Sequence, residues 1–153
     1  MFKRCRIKFT RIRIKDVEAT ELGAGHVAAE VFLNDLKKWV FIDGQFNAMP
    51  FQNGIPLNAV EFQNAITNNF EQLEIKSSFT EKSEYIEWIY PYLYYFDVKF
   101  DNREGIEETQ VINGKSSLML VPLKAKYPTV FQLKYPMDYF LHTHSLAEFY
   151  KHP

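Results

Sequence analysis

The chain has 153 residues, 46% of them hydrophobic and 24% charged, with a formal net charge of −1. That length favours one domain burying roughly 70% of its unfolded surface, and only 6 Gly and 7 Pro exclude collagen-like repeats and low-complexity disorder. The charge balance gives no case for nucleic acid or an anionic membrane, one cysteine excludes an intramolecular disulfide framework and Cys-rich zinc modules, and no apolar run nears the roughly 20 residues that span a bilayer. No apolar signal segment follows the basic start, so the expected location is cytoplasmic. Fourteen Phe, nine Tyr and two Trp tilt the expectation towards a sheet-rich globule.

Basic residues from Lys3 to Lys15 alternate with Ile7, Phe9, Ile12 and Ile14, a strand pattern whose phase changes near Thr10. The phase change suggests a bulge, and the basic side reads as the solvated face of an edge strand. A second strand is expected from His26 to Leu33 and a third from Trp39 to Asp43, joined by a turn at Asn34–Lys38. Residues 44–54, rich in Asn, Gln and Pro, read as a loop. Asn58 and Glu61 then form a capping box for a helix whose apolar stripe is Ala59, Phe62, Ile66 and Phe70. A short helix is expected from about Glu81 to Ile89, stopping before Pro91. In the next strand Tyr94, Phe96, Val98 and Phe100 face the core while Asp97, Lys99 and Asp101 face water. Asn113-Gly114 marks a hairpin leading into Ser117–Val121. Further strands are expected at Thr129–Leu133 and Tyr139–Leu141, and Ser145 with Glu148 caps a terminal helical turn. The sum is one α+β domain, with an antiparallel sheet of about six strands and two or three helices.

Chemistry concentrates between Gly23 and Gln45. A hairpin turn centred between Asp35 and Leu36 sets His26 opposite Gln45 and Ala28 opposite Asp43. His26 and Asp43 then share one face as diagonal neighbours, roughly 7–8 Å apart at the backbone. A carboxylate so placed holds the imidazole tautomer and stabilises the imidazolium, the orienting role in a nucleophile–His–Asp triad. By spacing alone, such a pair is more often structural than catalytic.

The letters around the pair, Gly25-His26-Val-Ala-Ala-Glu30-Val31-Phe32 and Trp39-Val-Phe-Ile-Asp43, resemble two catalytic motifs of the transglutaminase-like superfamily of papain-like thiol enzymes. One departure is Gly44-Gln45, where many members have Pro-Thr. The resemblance implies the barrel half of a papain-like fold, with His26 as base and Asp43 as orienter in a Cys–His–Asp triad. It implies amide hydrolysis or acyl transfer on a protein or peptide, and no cofactor. In that family the nucleophilic Cys opens a helix, whose dipole together with the His lowers the thiol pKa. Cys5 lacks that setting, only 21 residues before His26 and on a basic strand pattern. It reads as a small core residue, and the resemblance places it after the catalytic helix. The chain is therefore expected to begin downstream of the nucleophile position and to be inactive alone.

Glu30, on the face of His26, is expected to accept structural hydrogen bonds; Trp39 and Gln45 flank the site. The face carrying His26, Ala28, Phe32, Trp39 and Phe41 would lose its covering helix. It would then form a homodimer or be covered by the helix near Ala59 to Phe70. Two alternatives stand beside the enzyme reading. One is a non-catalytic peptide- or protein-binding module. The other is a metal site built on His142 and His144 with a third ligand such as His26 or Asp43. The aromatic band Tyr90–Phe96 offers a ligand platform, or ordinary packing.

Overall fold

The computed structural model describes residues 8–15, 23, 25–103 and 108–151. β1 (Lys8–Lys15), β2 (Gly25–Leu33) and β3 (Lys38–Ile42) form an antiparallel meander. β4 (Met49–Gln52) and β5 (Ile55–Pro56) make a small hairpin, followed by α1 (Ala59–Asn68) and β6 (Leu73–Lys76). α2 (Lys82–Ile89) precedes β7 (Tyr95–Lys99) and β8 (Ser117–Leu120). The short pair β9 (Val130–Phe131) and β10 (Tyr135–Pro136) leads to β11 (Phe140–Thr143) and α3 (Leu146–Phe149). The main sheet runs β11-β8-β7-β1-β2-β3, and a second runs β5-β4-β6.

The architecture is α+β, with a six-stranded sheet that is mixed rather than wholly antiparallel. β11 lies parallel to β8. A parallel neighbour needs a crossover that returns the chain to its starting edge, and residues 121–139, with the β9–β10 hairpin, supply it.

β1 is an interior strand between β2 and β7, not an edge. Its pairing with β2 runs unbroken from Lys8↔Phe32 to Lys15↔Gly25, so there is no bulge at Thr10. Thr10 is buried on the same face as Ile12, and its hydroxyl accepts a hydrogen bond from the Asn102 amide at 2.9 Å. A satisfied hydroxyl fills an apolar position, which is why the alternation looked broken. The other face of β1 and β7 is not uniformly solvated: Lys15 and Asp97 are buried there, and Asp101 is 8% exposed. Lys99 is exposed as expected.

Most of residues 44–54 is structured. β4 holds Pro50 yet pairs with β6 through Met49↔Lys76 to Gln52↔Leu73, a partner too distant in sequence to be signalled locally. Asn53 and Gly54, both at positive φ, make the tight turn to β5. The helices follow their caps. Asn58 accepts the Glu61 N–H at 2.8 Å and Glu61 accepts the Asn58 N–H at 2.9 Å, completing the box. At Ser145 only half a box forms, because Glu148 binds the Thr143 hydroxyl instead. α1 stops before Phe70, which is 43% exposed in a following 3-10 turn.

One core joins the sheet to the helices. Phe41 meets Phe62 of α1 at 5.7 Å between ring centroids, and Phe62 stacks on Tyr85 of α2 at 6.2 Å. Ala28, Trp39 and Phe41 are all buried, so the helices of this chain already cover much of that face. Full burial of an aromatic side chain stabilises by about 1.5–3 kcal/mol, which makes these contacts the main reason α1 and α2 dock. Among the described residues no helix is long and apolar enough to cross a membrane.

Candidate functional site

The β2–β3 register is the one read from the turn: Ala29 pairs with Ile42 and Leu33 with Lys38. Strand alternation therefore puts His26, Ala28 and Glu30 on the helix-covered face together with Phe41 and Asp43. Just past β3 the chain turns tightly. Asp43 and Ala48 exchange two backbone hydrogen bonds of 2.9 Å across residues 44–47, and Asn47 takes a positive φ of 45°. Asp43 closes this turn itself, since its Oδ1 accepts the N–H groups of Gln45 at 2.9 Å and Phe46 at 3.4 Å. Asp and Asn commonly initiate turns in this way, so Gly44-Gln45 builds the turn without the Pro-Thr of the motif.

The other oxygen, Oδ2, faces the sheet. It lies 3.0 Å from His26 Nε2 and accepts the Tyr85 hydroxyl at 3.0 Å. Asp43 is 0% exposed, and four donors converge on its carboxylate. Burial alone would push its pKa up. The hydrogen bond and charge of His26, with Tyr85 and the Gln45 N–H, outweigh burial and hold it below the usual carboxylate range. An ionised carboxylate only accepts, so Nε2 carries the proton and Nδ1 of the neutral ring keeps the lone pair. No described residue hydrogen-bonds Nδ1, and the His26 side chain retains 9% exposure. One nitrogen is anchored and the other is available as a base.

Aromatic rings wall the pair. Trp88 meets the imidazole edge-on at 4.9 Å, Tyr92 lies at 6.4 Å, and Phe46 packs on Trp88 at 4.5 Å. Such a wall lowers the local dielectric and strengthens the His26–Asp43 interaction. Tyr85 and Trp88 were not singled out as site residues in the sequence, and Tyr92 entered only as part of the aromatic band. The signal was their spacing of three and four residues, which places them along one side of α2 and the 3-10 turn after it.

The remaining candidates fall as follows. Glu30 is buried, with Oε1 accepting the Ala59 N–H of α1 at 2.7 Å and the Tyr150 hydroxyl at 3.2 Å. Burial pushes its pKa up to about 7, against those two hydrogen bonds. It ties β2 to α1 and to the turn after α3, the structural role expected. Trp39 is buried and meets Phe32 at 5.4 Å. Gln45 is exposed and contributes through its backbone. Cys5 lies outside the described residues. His142 and His144 do not meet the pair. Their rings stack with Tyr127 at 4.4 and 5.9 Å, and both His144 nitrogens are engaged, by the Val121 carbonyl and the Tyr127 hydroxyl. Among the described residues no three His, Cys, Asp or Glu side chains cluster in a way that could hold a metal ion. In the aromatic band Tyr95 and Phe96 are core residues, while Tyr90 is exposed.

No family model, curated protein or solved structure matches this chain.

Proposed function

We propose that the chain carries the base half of a thiol-dependent acyl-transfer or amide-hydrolysis centre of the transglutaminase-like kind. The observation that supports this reading is the 3.0 Å contact between His26 Nε2 and a fully buried carboxylate, which leaves Nδ1 as the proton acceptor. In the proposed reaction Nδ1 takes the proton of a thiol, and the thiolate attacks an amide carbonyl. Nδ1–H then protonates the leaving amine. Water or a second amine, deprotonated by the same nitrogen, releases the acyl group. Asp43 stabilises the imidazolium in both halves, and Tyr85 holds Asp43. The proposal assigns the nucleophile to no described residue; Cys5 keeps the reading of a small core thiol, and the chain alone is expected not to turn over.

The base can be tested with a thiol supplied from solution. Thiolysis of p-nitrophenyl acetate by 2-mercaptoethanol should be faster with the chain than in buffer. General-base catalysis typically contributes about 10²-fold or more. The acceleration should vanish in His26→Ala and survive in His144→Ala. A rate no different from that of His26→Ala would refute the base assignment and leave a binding module on the same fold.

A further inference from the structure

The opposite face of the main sheet carries a second polar centre, one that the His26–Asp43 reading does not use. Arg13 and Lys15 of β1 project there, and Asp97 of β7 is the Cα partner of Arg13. Asp97 is completely buried and serves both cations. Its Oδ1 accepts a hydrogen bond from Lys15 Nζ, while Arg13 Nε stands 2.5 Å from Oδ2 as an ion pair whose N–H is not aligned on the oxygen. Arg13 also donates to the Ser117 hydroxyl at 3.2 Å.

Two cations thus share one carboxylate. Lys15 is only 4% exposed, and an ammonium has three donors. Among the described residues Asp97 is the one acceptor that Nζ hydrogen-bonds. The rings of Phe131 and Phe140, 5.4 and 5.7 Å away, offer π faces but no lone pair. Burying a charged donor without acceptors is costly. Beside Lys15 there is a cavity of about 200 Å³, lined by Arg13, Lys15, Val27, Phe131, Gln132 and Tyr139 and closed at the strand end by Gly25 and His26.

We propose that this cavity binds a small organic monocarboxylate, its head on Lys15 and Arg13 and its carbon skeleton between Val27, Phe131 and Tyr139. Three features select that class. With Lys15 protonated, the surplus of the Arg13–Lys15–Asp97 cluster is one positive charge, which a monoanion neutralises and a phosphate dianion overshoots. The volume lies below the roughly 300–1,000 Å³ of drug-sized sites, which excludes nucleotides and peptides. The wall is half aromatic and aliphatic, which favours a ligand with carbon over a bare inorganic ion. Burial pulls the Lys15 pKa down against the opposing pull of Asp97, and a carboxylate seated on the ammonium favours its charged form.

The test uses the intact chain at constant ionic strength, with butyrate, benzoate, inorganic phosphate and chloride as probes. Butyrate or benzoate should give saturable amide shifts at Lys15, Val27 and Phe131 and raise Tm, while phosphate and chloride do neither. Lys15→Met should abolish the effect. Because that variant disturbs a buried ion pair and could misfold, Val27→Phe serves as the second. Val27 is 52% exposed, so a larger ring is tolerated there and narrows the cavity without touching a charge. It should weaken binding about tenfold at unchanged Tm of the free protein. No saturable shift with either carboxylate would overturn the proposal. So would tighter binding of phosphate, or carboxylate binding unaltered by Val27→Phe.

Discussion

Tyr85→Phe removes one oxygen from the interior and isolates what the phenol does for Asp43. The ring contacts with Phe62 and Phe46 remain, because they involve carbon only. What is lost is a 3.0 Å hydrogen bond to a buried, ionised carboxylate. Hydrogen bonds to charged groups contribute about 1.5–3 kcal/mol, and the vacancy is too small to admit a water that would replace the donor. The effect depends on pH in a defined sense. The folded-state pKa of Asp43 is depressed, so the stability it confers is fully present above the unfolded value of about 4. That stability is lost as the pH falls through the folded value. The Tyr85→Phe penalty should therefore be about 2 kcal/mol at neutral pH and should shrink once the carboxyl is protonated. Urea unfolding followed by tryptophan fluorescence suits the measurement, since Trp88 packs on His26 and reports on the site directly. With a urea slope of about 2 kcal/mol/M, the midpoint should drop by about 1 M at neutral pH. A penalty below about 0.5 kcal/mol, or one of equal size in acid and at neutrality, would show that Tyr85 packs beside Asp43 without holding it.

Four further outcomes are expected. Asp43→Asn presents an amide N–H to Nε2 and should move the ring proton to Nδ1. Long-range ¹H–¹⁵N spectra read the tautomer directly, and an unchanged pattern would remove Asp43 from its orienting role. Glu30 has a folded pKa raised to about 7 from 4.5, so stability should fall by about 3 kcal/mol as the pH rises between those values and stay flat above them. Glu30→Gln keeps an acceptor for Ala59 and Tyr150 and should abolish that slope in pH-dependent unfolding; a slope that persists would assign it to another group. Asn58→Ala removes the cap of α1 and should cost about 1 kcal/mol by thermal unfolding, without altering the fluorescence of the folded state. Iodoacetamide should label Cys5 slowly at neutral pH, at the same rate in His26→Ala. Fast labelling that depends on His26 would instead make Cys5 the nucleophile.

What the sequence disclosed about the site was set by local rules. The His26–Asp43 pairing needs only a turn and a period of two, and both are carried within twenty residues. The α1 cap is likewise a four-residue pattern. The features that escaped depend on contacts between distant segments. Asp97 alternates with Phe96 and Val98 in the manner of a surface carboxylate, yet residues 121–139 cross over that face and bury it with Lys15. Nothing local to β1 says that its lysine is inside. Tyr85 and Trp88 stand over forty residues beyond Asp43, and they reach Asp43 and His26 respectively only because α2 docks on the same core as Phe41 and Phe62. The parallel β11 is hidden for the same reason, since short strands carry no direction in their composition.

These non-local contacts bear on how the site responds to change. The carboxylate of Asp43 is fixed from two sides, by its own turn at Oδ1 and by α2 at Oδ2. The turn is formed by the residues next to it and survives so long as the backbone bridge between Asp43 and Ala48 holds. The α2 contribution depends on tertiary packing, so loosening α2 should release the Tyr85 hydroxyl and the Trp88 ring from the pair while leaving the Gln45 N–H bond in place. The base and its orienter are therefore local in origin but tertiary in precision, and a substitution at Phe62, which touches neither residue of the pair, should disturb His26 through Tyr85 before it disturbs the strands that carry it.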